Sequence, residues 1–180
     1  MIIPGIFASG ISGHLSTNNY TSIQTVTVGS GGASSISFSS IPSTYTHLQI
    51  RGFATYSTVG AGYINFNGDS GSNYSAHWLF GDGSNANAGS ATSQTKGYLT
   101  GAAGTKNTVP NASITDIMDY ANTNKNKTVR TLYGWDGNGS GYVEFNSSLW
   151  MSTNAITSIV LTPQSGTFNQ YTNFALYGVK

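Results

Sequence analysis

Apolar and polar residues alternate with a period of two along most of the chain, in short runs that end in Gly, Asn, Asp or Ser. Alternation of this period lines apolar side chains along one face of an extended strand. The punctuating residues are those that supply tight-turn conformations. Residues 21–28 alternate through Ile23, Val26 and Val28 before Gly29-Ser30-Gly31-Gly32, and residues 33–39 place Ile36 and Phe38 on one face. Residues 46–56 carry Leu48, Ile50, Phe53 and Tyr56, with Gly52 expected to mark a bulge or bend. In 61–67, Ile64 and Phe66 oppose Tyr63, Asn65 and Asn67. Further runs cover 74–80, 95–100, 113–120, 127–135, 141–150, 156–162 and 173–179, about eleven strands in all. Ile114, Ile117, Met118 and Ala121 fall at helical spacing, but the surrounding Ser and Thr and the local alternation favour strand there too. Many short strands without intervening helices predict an all-β fold, an antiparallel β-sandwich of jelly-roll-like form.

Composition decides whether such a chain folds at all. Only 7% of its residues are charged, and Ser, Thr, Asn and Gly make up nearly half. Polar tracts of this kind stay unfolded when they lack apolar surface to bury. Here aromatics supply 12% of the 180 residues and run from end to end, so one domain with a real core is expected over 19–180. A net charge of +1 excludes strong electrostatic attraction to nucleic acid or to an anionic membrane. It also leaves little repulsion between copies, which favours association. The chain has no cysteine, hence no disulfide and no thiolate metal site. Residues 1–18 lack alternation and are glycine-rich. They are expected to form an N-terminal docking arm through Ile2, Ile3, Ile6 and Phe7. No apolar run is long enough for membrane insertion.

Three polar loops are the natural places to look for chemistry: 68–73, 81–85 and 136–141. Asp136, Asn138, Ser140 and Gly141 match the first half of a calcium-binding loop, but its twelfth position is Ser147, where a bidentate Glu is needed. Hairpin turns use the same residues for local reasons, and plain turns are expected. His14, His47 and His77 show no ligand spacing. There is no G-x-S-x-G elbow, and six acidic residues offer few pairs for glycoside hydrolysis. Asp116 and Asp119, three apart, point to opposite faces of a strand. Glu144 is expected to face solvent, because Val143 and Phe145 beside it read as core. Lys125, Lys127 and Arg130 read as a solvated loop. No catalytic site, metal or cofactor is expected. Tyrosines flanked by Asn, Ser, Thr or Gly suit sugar or protein recognition, since the ring gives contact area and its neighbours give hydrogen bonds. Asp69, Tyr74, Asp136, Asn138 and Tyr142 are therefore the candidate ligand-binding residues.

Several stretches carry a resemblance. Gly5-Ile6-Phe7-Ala8-Ser9 begins it, and His47-Leu48-Gln49-Ile50-Arg51 and Phe66-Asn67-Gly68-Asp69-Ser70 continue it. Lys127-Thr128-Val129-Arg130 and the terminal Ala175-Leu176-Tyr177-Gly178-Val179-Lys180 complete it. In these segments the chain resembles a family of small structural proteins of tailed-bacteriophage virions, tail-fibre-like or capsid-decoration-like, common among marine and cyanobacterial phages. The resemblance implies a non-enzymatic virion component, assembled in the host cytoplasm, whose partners are tail or capsid subunits. A tail fibre or adhesin module would be a homo-oligomer, with a trimer the expected form, and would contact host surface glycan. The alternative is a capsid decoration (cement) protein that stabilises the head shell. A glycan-degrading tailspike is disfavoured by the scarcity of carboxylates.

Overall fold

The computed structural model describes residues 19–101 and 109–180. The proposed docking arm, with Ile2, Ile3, Ile6, Phe7 and His14, lies outside them. Among the described residues are twelve strands: β1 (Tyr20–Thr27), β2 (Ile36–Phe38), β3 (His47–Ala54), β4 (Gly62–Phe66), β5 (Tyr74–Gly81) and β6 (Ala86–Gln94) lead. β7 (Gly97–Thr100), β8 (Asn111–Ile117), β9 (Lys127–Asp136), β10 (Gly141–Trp150), β11 (Ile159–Pro163) and β12 (Asn173–Val179) follow. One sheet has eight strands in the order β1-β12-β3-β8-β9-β10-β5-β6, the other four in the order β2-β11-β4-β7. Every pairing is antiparallel. The two antiparallel sheets form the expected β-sandwich.

The path becomes simple once the hairpins β5–β6 and β9–β10 are set aside. The remaining strands, renumbered one to eight in chain order, read 1-8-3-6 in one sheet and 2-7-4-5 in the other. This order follows two nested Greek keys, and the two hairpins widen the larger sheet from four strands to eight. That sheet therefore has an original half, β1-β12-β3-β8, and an added half, β9-β10-β5-β6.

The core lies between the two sheets, mostly under the original half, with Tyr74, Val129 and Trp150 of the added half at its margin. Leu48, Ile50, Phe174 and Leu176 meet Phe38, Ile64, Phe66, Ile159 and Leu161, all buried. Burying each such side chain is worth roughly 1.5–3 kcal/mol. Gly52 makes no bulge; its pairing with Phe174 and Ser113 is regular, and a Cβ there would overlap the Phe174 ring. Trp150 closes one end, stacked on Tyr74 with ring centroids 6.4 Å apart and tilted against Phe66 at 5.4 Å.

Three further expectations need correction. β6 escaped detection because Ala, Gly, Asn and Ser dominate it; pairing with β5 at the sheet edge holds it, not its own alternation. Lys127 is no loop lysine: its buried ammonium donates to the carbonyls of Asn122, Lys125 and Thr153, at 2.6, 2.8 and 3.1 Å. Glu144 is only 3% exposed, whereas Val143 and Phe145 face outward. In β10 the inner face is polar, through Glu144, Asn146 and Ser148, and the outer face is apolar. β7 packs on this polar face, with Tyr98 N donating to Ser148 Oγ at 3.2 Å.

Candidate ligand-binding groove

Two turns meet at one end of the added half. β5 and β10 are antiparallel neighbours, with Gly81 opposite Val143, so the turn after β5 lies beside the turn before β10. In the first, Asp82 Oδ1 accepts hydrogen bonds from Ser84 N (2.9 Å) and Asn85 N (2.7 Å), and Gly83 takes φ +89°. These bonds hold the Asp82 carboxyl below the usual carboxylate range. In the second, Asn138 and Gly139 both have positive φ, 56° and 102°, the signature of a type I′ hairpin turn. Asp136 Oδ1 accepts from Asn138 N at 2.8 Å, and Gly137 N donates to Ser140 O at 2.6 Å. The half-match to a calcium loop is thus a hairpin turn. Among the described residues no three His, Asp or Glu side chains gather as a metal site.

Between the two turns opens a hollow of about 350 Å³ lined by Asp82, Trp135, Asp136, Ser140 and Tyr142. Tyr142 forms its wall. Its ring stacks on Phe80 at 4.7 Å and leans on Tyr133 at 5.8 Å, and its hydroxyl donates to Glu144 Oε2 at 3.0 Å. The same ring borders a second hollow, of about 170 Å³, with Trp78, Tyr98, Glu144 and Gln164. Gln164 in turn borders a third, of about 300 Å³, with Tyr63, Gln94, Thr95 and Lys96. The three hollows lie in series, each pair divided by one shared side chain, as a stepped groove where β7, the end strand of the small sheet, meets β5 and β10.

The groove is aromatic with a few polar groups. Trp78 and Tyr98 approach to 5.3 Å, Tyr98 and Tyr63 to 5.4 Å, and the Lys96 ammonium lies 5.8 Å from the Tyr63 ring centre. Gln164 is fixed by its own Oε1, which accepts from Ala61 N at 3.0 Å. Burial pushes the Glu144 carboxyl above its ordinary value, opposed by the hydrogen bond from Tyr142. Burial, with Glu144 beside it, raises the Tyr142 hydroxyl in turn.

The five candidate residues divide between two places. Asp136, Asn138 and Tyr142 come together at the groove's turn end, Asn138 at the tip. Asp69 and Tyr74 sit at the other end of β5, about 23 Å away by strand rise. Tyr74 cannot meet a ligand: it is 1% exposed, packed in the core, and its hydroxyl accepts from Phe66 N at 3.1 Å. Asp69 is a structural anchor. Its carboxylate accepts from Trp150 Nε1 (2.7 Å), Asn73 Nδ2 (3.0 Å) and Gly71 N (2.9 Å). Asp116 and Asp119 form no pair either. Asp116 accepts from Gln49, while Asp119 holds Lys125 at 2.5 Å and donates its backbone N–H to His47 Nδ1.

Sequence reasoning missed Trp78, Tyr98, Gln164 and Glu144. One signal for Glu144 was available: it shares strand parity with Trp150, the bulkiest residue of the run and the surest core member. No family model matches the chain, and no curated protein or solved structure shows significant similarity to it.

Proposed function

We propose that the chain is a non-enzymatic structural protein of a tailed-phage particle, a tail-fibre or adhesin module that holds host-surface glycan in the groove. One observation carries the reading: hollows joined through Tyr142 and Gln164, walled by Trp78, Tyr98 and Tyr63 and dotted with fixed amide and carboxylate acceptors. Flat rings supply apolar area for pyranose faces, and a small number of placed polar groups sorts hydroxyls. Successive hollows suit successive sugar units of a linear oligosaccharide. Jelly-roll sandwiches serve both lectins and viral shells, so the strand order is compatible with the reading without choosing between them.

The test is a panel of neutral and acidic oligosaccharides applied to the full chain, followed by calorimetry on the tightest binder. Binding should fall at least tenfold in Trp78→Ala while the fold stays intact. Failure to bind any member of the panel overturns the glycan reading, and release of new reducing ends overturns the non-enzymatic one. Copy number per purified particle tests the position. A few to a few dozen copies support the tail, whereas hundreds would assign the chain to the head as a decoration protein.

A further inference from the structure

The outer face of the large sheet is the feature the groove leaves unused. Ile114, Leu132, Phe145, Leu79 and Ala88 stand directly opposite one another on five neighbouring strands, β8 to β6, so they form one row on one face. The first four are between 40% and 60% exposed. A second row runs beside it through Phe53, Ala112, Gly134, Val143 and Gly81. The third is polar, with Asp116, Arg130, Ser147 and His77 in register. Two apolar rows across six strands cover about 400 Å², as large as the biggest apolar patch of an ordinary monomer.

We propose that this face packs on the same face of a second copy of the chain, as a two-fold dimer. The area fits. The six strands that overlap about the axis described next, β3 to β6 in sheet order and each about seven residues long, span roughly 700 Å², inside the roughly 600–1,000 Å² per partner of a standard stable interface. The pattern is self-complementary. A two-fold axis parallel to the strands, between β9 and β10, sets Leu132 against Phe145 of the second copy. It brings Ile114 to a hollow of about 300 Å³ bounded by His77, Leu79, Ala88 and Phe145. The same rotation places Asp116 opposite His77 and Arg130 opposite Ser147, so no like charges face each other. Net charge of +1 leaves little general repulsion between copies. Most of the groove lies on the other side of the sheet, but Gly81 and Val143 also line its turn-end hollow and Trp78 also borders the hollow that takes Ile114, so dimerisation is measured without oligosaccharide.

Sedimentation equilibrium on the full chain is the test, with Leu132→Glu and Phe145→Glu as variants. Both side chains are exposed, so circular dichroism and melting should match the parent. The parent is expected to dimerise at micromolar concentration, and each variant to weaken dimerisation at least 100-fold. The chain has no cysteine, so Leu132→Cys gives an unambiguous probe: a short bismaleimide should join two copies through it, and not through Thr58→Cys. A parent that is monomeric at 100 µM overturns the proposal. So does a dimer that both Glu variants leave intact, or one that disappears only when residues 1–18 are removed.

Discussion

The two halves of the eight-stranded sheet obey opposite rules. On β3 and β12 of the original half the inner face is apolar, through Leu48, Ile50, Phe174 and Leu176, and the outer face is polar save for Phe53. At the seam, β8 already buries Asn111, Ser113 and Thr115 and exposes Ile114. The Arg51 guanidinium lies between the Tyr20 and Tyr177 rings, 5.2 and 5.0 Å from their centres, and donates to Gln49 Oε1. In the added half the inner face mixes polar Thr131, Asn146 and Glu144 with Val129, Tyr133 and Trp150, and the outer face carries Leu132, Phe145 and Leu79. The first pattern buries its apolar side chains against the small sheet. The second leaves polar groups to line a groove and apolar groups that still need cover, which is what surfaces built for partners require.

The sharpest break in that comparison is a matched pair of truncations. Phe174→Ala removes a buried ring that packs on Phe168 at 5.6 Å and should cost about 3–5 kcal/mol in denaturant unfolding. Leu132→Ala, an equally apolar residue on the added half, should cost under about 1 kcal/mol at concentrations where the chain is monomeric. Equal losses would mean that the outer row is core and that the halves do not differ.

Next in size is Asp69→Ala. It leaves the Trp150 indole N–H without its acceptor and loosens the Asn73 and Gly71 bonds, at about 1–3 kcal/mol. The Trp150 bond, then Asn73 and Gly71, hold the Asp69 carboxyl below its ordinary 3.8. Its contribution is therefore present above pH 3.8 and lost as pH falls through the depressed value. A melting curve that Asp69→Ala leaves unmoved at pH 7 would restore Asp69 as a free ligand-binding candidate.

Most of the sandwich was legible because β3, β4, β8, β10 and β12 alternate strongly enough for sequence to show strand and length. What alternation cannot show is which face is inside. Val143-Glu144-Phe145 reads as core-solvent-core by hydropathy, and the structure has the reverse, because three-dimensional cover comes from β7, a strand remote in sequence. The same limit hid Lys127, whose burial depends on three carbonyls that only the closed turn assembles. Of the candidate groove, local turn chemistry pointed to Asp136 and Tyr142, which line its turn-end hollow, and to Asn138 at the tip of the turn. Trp78, Tyr98 and Gln164 come from three separate strands or their ends, and no local spacing links them.

Glu144→Gln tests the polar interior with a smaller effect. Burial raises the Glu144 carboxyl above 4.5. Between 4.5 and the raised value the folded chain holds a proton that the unfolded chain has released, so stability falls as pH rises through that window. The amide has no such window and can still accept from Tyr142. The two proteins should melt together at pH 4, and the variant a few degrees higher at pH 7. Identical differences at both values would show that Glu144 is solvated, as hydropathy alone suggests.

The smallest effect is expected at the tip of the groove's turn. Asn138 sits at φ 56°, a conformation that Gly adopts without penalty, and its own backbone N–H is the donor to Asp136. Asn138→Gly should therefore change stability by less than about 0.5 kcal/mol, while Asn138→Ala, with a Cβ in the left-handed region, should cost about 1–2 kcal/mol. If Asn138→Gly weakens oligosaccharide binding tenfold without moving the melting temperature, its side-chain amide touches the ligand and the groove extends over the turn. If binding is unchanged, Asn138 serves backbone geometry alone, and recognition is confined to the walls that Tyr142 joins.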